Sequence, residues 1–168
     1  NRTQISDAHL RTNLDDLPGL LAAGVFGVKC FLQDSGVPEF PPLSADELHR
    51  AMAVIASFDG LMLVHAEDPG VLHTSPPPQG PSYAAFVDSR PAAAEATAIA
   101  TVIAASAATG CRAHIVHLSS AAGAQLVREA KAAGIPLLRP MVIAFTCSGA
   151  LAGLGGSVLS LRLGSATP

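Results

Sequence analysis

The chain has no tryptophan, a single tyrosine and aromatic residues at only 4% of its 168 positions. It therefore lacks the stacking surface that holds single-stranded nucleic acid. Nor is there a basic surplus. Ten Lys and Arg stand against thirteen Asp and Glu, a net charge of −3, and the basic residues form no stripe that could track a phosphate backbone. The three cysteines are an odd number with no C-x-x-C spacing, which excludes a disulfide framework and points to a reducing compartment. The cytoplasm is the expected location. Charged residues are scarce as well, at 14% against 49% hydrophobic, the balance of a globular chain and not of a disordered one. The first residues, Asn1-Arg-Thr-Gln-Ile-Ser-Asp7, have neither the basic nor the apolar region of a signal peptide and read as the start of a fragment.

What is present is most informative at Lys29, inside the apolar run Gly24-Val-Phe-Gly-Val-Lys-Cys-Phe-Leu32. A lysine on the inward face of a buried strand must be neutralised, modified or coordinated, because a lone buried ammonium costs several kcal/mol. Two later strand-like runs end in histidine, Leu61-Met-Leu-Val-His65 and Ala113-His-Ile-Val-His117. Lysine, histidine and histidine at successive strand ends suggest a metal site.

Helix signals fall between these runs. Asn13 to Ala23 reads as a helix capped by Asn13 and stopped by Gly24, Ser44-Ala-Asp-Glu47 is a capping box, and Pro91 opens an alanine-rich helix that Gly110 ends. Ser119 or Ser120 caps a further helix to Ala133. Glu67 to Arg90 reads as one long loop, of the kind that in compact domains is usually functional. Repeated βα units predict an α/β fold with a parallel sheet or barrel. Lys29 and His65 are 36 residues apart and His65 and His117 are 52, each compatible with one unit of a (β/α)8 barrel at about 31 residues per unit, the second with an insertion. Side chains three apart on a strand face opposite ways, so only one of His114 and His117 can enter the barrel mouth. His117, nearer the strand end and sharing a face with Ile115, is the expected one, with His114 facing the helices.

Four segments, in order, resemble the allantoinases, a branch of the cyclic amidohydrolases: Gly27-Val-Lys29 through Phe40, Val64-His65-Ala-Glu-Asp68, Tyr83 through Pro91, and His114-Ile-Val-His117-Leu-Ser-Ser-Ala121. The resemblance covers roughly residues 10 to 136. It implies a partial (β/α)8 TIM barrel of the metal-dependent amidohydrolase type, about strands four to six with their helices. It also implies that Lys29 is a carboxylated lysine bridging two divalent metal ions, zinc being expected, with His65 and His117 as ligands. Two such ions lower the pKa of water for attack on a ring amide. The substrate implied is a small cyclic ureide, allantoin, hydrolysed to allantoate, in an enzyme of purine catabolism whose full-length relatives are homo-oligomers. The loop holding Asp34, Ser35 and Gly36 looks like the allantoinase version and is expected to act in specificity. Dihydropyrimidinase, hydantoinase and dihydroorotase are the alternative activities. The sequence departs from the family in having no His-x-His and no final catalytic aspartate, so the catalytic residue is unknown and the chain alone is expected to be inactive. A non-catalytic remnant or scaffold homologue is the alternative reading.

Each of these residues also has an ordinary explanation. A lysine can snorkel to water and a histidine can be a hydrogen-bonded core residue. Glu67 and Asp68 suit either ligand orientation or a helix start. Cys30 should pack on the face opposite Lys29, and His49 and His73 should face solvent. From Leu137 the chain departs from the family pattern in an apolar Gly/Ser/Leu tail, residues 137–168, read as frame-shifted. Met141 to Leu161 is 21 residues without charge, yet its glycines and serines make it a poor membrane span, and none is expected.

Overall fold

The computed structural model describes residues 5–7, 10 and 14–137. The Asn13 cap, the Met141–Leu161 stretch and all of the tail beyond Leu137 lie outside the described residues.

The sheet has four parallel strands in sequence order: β1 (Ile5–Asp7), β2 (Gly27–Phe31), β3 (Leu61–His65) and β4 (Arg112–Val116). The parallel α/β expectation holds, but the sheet carries one strand more than the three read from sequence. β1 escapes notice because it has three residues, two of them polar, and so no apolar run or alternation to detect. Leu137 makes an isolated parallel bridge to Ala113 on the far side of β4.

Strand register sorts the side chains onto two faces. Val28, Met62 and Ala113 lie in one row, and Cys30, Val64 and Ile115 in the next; all six are buried in the hydrophobic core. Helices cover this face: α2 (Ala45–Ala56) through Leu48, Met52 and Ile55, and α5 (Ala92–Thr109) through Ala98, Ile99 and Val102. Lys29, Leu63 and His114 form a row on the other face, and Phe31, His65 and Val116 the row above it. Gly27, two residues before Lys29, shares that second face, and glycine fits there because a Cβ would come within 2.7 Å of Leu63 Cδ1 and 2.8 Å of the Leu61 carbonyl oxygen.

The helix signals are local and hold well. Ser44 caps α2 in the expected box, its Oγ accepting from the Glu47 N–H while Glu47 Oε2 accepts from the Ser44 N–H at 2.8 Å. α5 ends at Gly110, whose φ of +72° suits glycine. Ser120 caps α6 (Ala121–Ala132), and Gly123 lets α6 sit close to Ile99 of α5. At the N-terminal side a 3-10 turn, Leu14–Asp16, leads into α1 (Leu17–Ala22). The stretch 83–109 is long and apolar enough to cross a bilayer by length and composition; in the fold, α5 packs against α2 and α6.

The long loop expected between Glu67 and Arg90 instead holds two short helices, α3 (Pro69–Thr74) and α4 (Tyr83–Asp88). Asp68 is the N-cap of α3, accepting from the Val71 N–H at 2.8 Å, with Pro69 at the first helical position. That settles Asp68 as a helix-start residue. The proline cluster Pro76-Pro-Pro78 between the two helices hid both from the reading of composition.

Candidate metal centre

All three parallel strands β2 to β4 run toward the same end, and the candidate residues lie at or near it. His65 is the last residue of β3, and its ring centre is 5.4 Å from that of Phe31 in the neighbouring strand. Lys29 is one row deeper on the same face and only partly buried; its Nζ sits 4.4 Å from the Phe31 ring centre. The ammonium is thus accommodated on an aromatic face rather than sealed in an apolar strand interior. Cys30 points the other way, into the core, while His49 and His73 are exposed, all three as expected.

His117 arrives by a route that alternation does not describe. β4 stops at Val116, and His117 takes a left-handed backbone conformation, φ +59°. That turn brings its ring to 5.6 Å from the His65 ring, nearly edge-on at 62°. The expectation that His117, and not His114, turns into the barrel mouth rested on alternation along β4, and alternation is not what places His117. Ile115 faces the helices, and His114, in register with Leu63 and Lys29, is on the strand face opposite to the one expected. A period of two applies only while the strand lasts. Burial, with the charge of Lys131 second, holds the His114 pKa below the ordinary imidazole value.

Two imidazoles on one tetrahedral ion at about 2 Å place their ring centres about 5 Å apart, so the observed separation fits shared ligation. Among the described residues no three His, Cys, Asp or Glu side chains come together as a metal-holding group. The donors that meet there are the two imidazoles; Lys29 lies one row deeper on the same face, against Phe31, and is not among the residues lining the cavity beside them.

Glu67 orients His65. Its Oε2 lies 3.1 Å from His65 Nε2 and 2.5 Å from Arg90 Nη1. With Nε2 engaged by Glu67, a ligand would have to approach His65 through Nδ1. Burial pushes the Glu67 pKa up, but the Arg90 hydrogen bond and then the His65 one outweigh it, and the net shift is downward. Glu67 therefore remains a carboxylate at neutral pH. A cavity of about 550 Å³ opens beside these groups, walled by His65, Glu67, Arg90, Glu95 and His117, with Tyr83, Phe86 and Val87 of α4 on its outer side. Arg90 also lies over the Phe86 ring, 5.8 Å from its centre.

Asp34, Ser35 and Gly36 follow β2 but do not line that cavity. Their polar groups hold their own loop: Asp34 Oδ1 accepts from the Gly36 N–H at 3.0 Å, and Ser35 Oγ donates to the Phe40 carbonyl at 2.8 Å. Gly36, at φ +82°, makes the turn possible.

No family profile matches the chain. Among curated proteins, allantoinase from Streptomyces avermitilis is 49% identical over 126 residues, covering 75% of this chain and 28% of that protein. Mitochondrial allantoinase from Aquarana catesbeiana is 44% identical over 128 residues, 74% of this chain and 26% of that protein. The chain belongs to the allantoinase family. It spans under a third of the length of these relatives. Allantoinase from Saccharomyces cerevisiae matches at 37% identity over 140 residues, 80% of this chain and 30% of that protein. Among solved structures, L-hydantoinase (dihydropyrimidinase) from Arthrobacter aurescens superposes with a TM-score of 0.70 at 24% identity, covering 80% of this chain and 30% of that one. D-hydantoinase from a Bacillus sp. gives 0.66 at 26%, over 79% and 29%. These neighbours are amidohydrolase barrels, and the parallel sheet with its helices is the corresponding portion of that fold.

Two groups of this allantoinase-family chain were undervalued in the sequence. Arg90 stands in the family-like segment Tyr83 through Pro91, where the sequence gives it no role of its own. Glu95 drew no notice, although it is the one charged residue of α5, and a lone carboxylate in an apolar helix is a signal that sequence does carry. Its partners are 24 and 25 residues away, which sequence does not show.

Proposed function

We propose that this chain is the part of a metal-dependent allantoinase barrel that supplies Lys29, His65 and His117 to the metal site. On this reading β2, β3 and β4 are barrel strands four, five and six, and β1 is the end of strand three. The observation that carries it is the meeting of His65 and His117 at 5.6 Å across the ends of adjacent parallel strands, one row above Lys29. When bound, two divalent ions, zinc given the imidazole donors, polarise a ring carbonyl and lower the pKa of water.

This chain's own residues have separate tasks. Lys29, once carboxylated by CO2, exchanges a cation for an anionic oxygen donor that can bridge two ions. Glu67 holds His65 with Nδ1 free, and Arg90 keeps Glu67 ionised. Tyr83, Phe86 and Val87 give one side of the cavity an apolar wall against which a small planar ring can lie. The Asp34–Gly36 loop sits further out, as a specificity element. The proposed substrate is allantoin: water adds to the ring amide carbon, the C–N bond breaks, the nitrogen takes a proton, and allantoate leaves. The polypeptide alone is proposed to be inactive, because the His-x-His and the final aspartate of the family are absent from its sequence.

A zinc titration of the 168-residue chain tests the site. Binding that is lost in His65→Ala and in His117→Ala supports it; equal affinity in both variants overturns it. For the activity, residues 10–136 are exchanged for the matching segment of the Streptomyces avermitilis enzyme. A folded, zinc-loaded chimera that does not open allantoin would refute the substrate assignment.

A further inference from the structure

We propose that the first turn of α5 is a staple that sets the separation of the two histidines, with Glu95 as the positioning residue for His117. The inference deepens the metal-site reading and rests on it for its meaning, though its geometry stands without a metal. Adjacent residues of α5 grip the two histidine segments. On one side the Asp68 N–H, three residues after His65, donates to the Ala94 carbonyl at 2.9 Å. On the other, the Glu95 carboxylate takes the backbone beyond His117: Oε1 accepts from the Ser119 N–H at 2.7 Å and Oε2 from the Ser120 N–H at 2.8 Å. Ser119 Oγ lies 3.2 Å from Oε2 and 3.1 Å from the His117 carbonyl oxygen, close enough to share its one proton between them.

The physical need for such a clamp is visible at His117. A non-glycine residue at φ +59° is strained and persists only where its surroundings over-determine it. Charge-assisted bonds from two consecutive N–H groups to one carboxylate supply that constraint, since they are short and strong. They also hold Ser120 where its Oγ caps α6 through the Gly123 N–H, so the histidine is fixed between two helices. Ala94 is buried in the fold, which makes α5 a rigid reference for both grips. Glu95 touches neither imidazole, and it acts through the backbone.

The test uses the metal-free 168-residue chain, with Glu95→Ala, Glu95→Gln and, as a charge-loss control, the exposed Glu129→Ala. The readouts are amide hydrogen exchange at Ser119 and Ser120 and the proton NOE between the His65 and His117 rings. In Glu95→Ala both amides should exchange faster and the NOE should vanish, while Leu63 and Val64 keep their protection. Glu95→Gln retains one acceptor for Ser119 and should fall between, which serves if the alanine variant loses its sheet. Unchanged Ser119 and Ser120 exchange with an intact NOE would overturn the proposal. A cobalt(II) titration then separates the two readings. Loss of about tenfold in affinity in Glu95→Ala, as for other groups that orient metal ligands, supports the staple at a working site. No cobalt binding in the wild-type chain beyond that of His65→Ala removes the metal reading and leaves the exchange and NOE results to decide Glu95.

Discussion

If His65 ligates as proposed, removing the Glu67 carboxylate should weaken metal binding there by an amount the geometry lets one work out. Glu67 Oε2 is 3.1 Å from His65 Nε2 and 2.5 Å from Arg90 Nη1, with the Glu67 side chain 21% exposed. A hydrogen bond to a charged group contributes about 1.5–3 kcal/mol when well shielded. Partial solvent access lowers that toward the smaller figure. Loss of a partner that orients a ligating histidine usually reduces metal affinity by about 10–100-fold, or about 1.4–2.7 kcal/mol. Glu67→Ala should therefore weaken zinc by at least about tenfold. Glu67→Gln should fall between, because its amide oxygen still accepts from Nε2–H while its NH2 opposes Arg90. The assay is competition for zinc against a chromophoric chelator at pH 7. The folded Glu67 pKa is lowered, so its contribution to folding stability is fully present above the ordinary value of 4.5 and is lost as pH falls through the folded value. The reasoning fails if Glu67→Ala matches wild type while His65→Ala loses zinc, for then the Nε2 contact does not orient the ring.

Three further expectations follow from the same structure. His114 has a lowered pKa, so the unfolded chain takes up protons first, and stability should fall as pH drops from about 6.5 toward the folded value; thermal midpoints between pH 7.5 and 5 should show this slope in wild type and a flatter one in His114→Gln. Burial pushes the Cys111 thiol up to about 11, so iodoacetamide at pH 8 should label Cys111 only on unfolding, and mass mapping of rapid native-state labelling would contradict the buried placement. Gly27→Ala would force a methyl to within 2.8 Å of the Leu61 carbonyl, a backbone atom that cannot step aside, and should destabilise by about 1–3 kcal/mol in urea unfolding; an unchanged midpoint would mean that β2 and β3 are not paired in this register.

Local chemistry carried much of the fold. The Ser44 box, Gly110, Pro91 and Ser120 needed only their immediate neighbours to be read, and the continuous apolar run of β3 announced a buried parallel strand. The errors arose where a non-local cause governs. β1 becomes a strand because β2 is there to pair with it, and α3 and α4 form within a segment whose prolines signalled only loop. The His114 and His117 assignment failed in its reasoning because alternation was carried one residue past the end of β4.

The sequence by itself determined the residue types of the candidate site, their order and their family, because these are written in Lys29, His65 and His117 and the motifs around them. Tertiary structure alone decided how those residues meet. The left-handed turn at His117, the Glu67 bond that selects a nitrogen of His65, and the α5 grip on both segments depend on contacts between groups distant in the chain. Such contacts follow from how packed helices and paired strands place backbone donors and acceptors in space, and no local pattern encodes that placement.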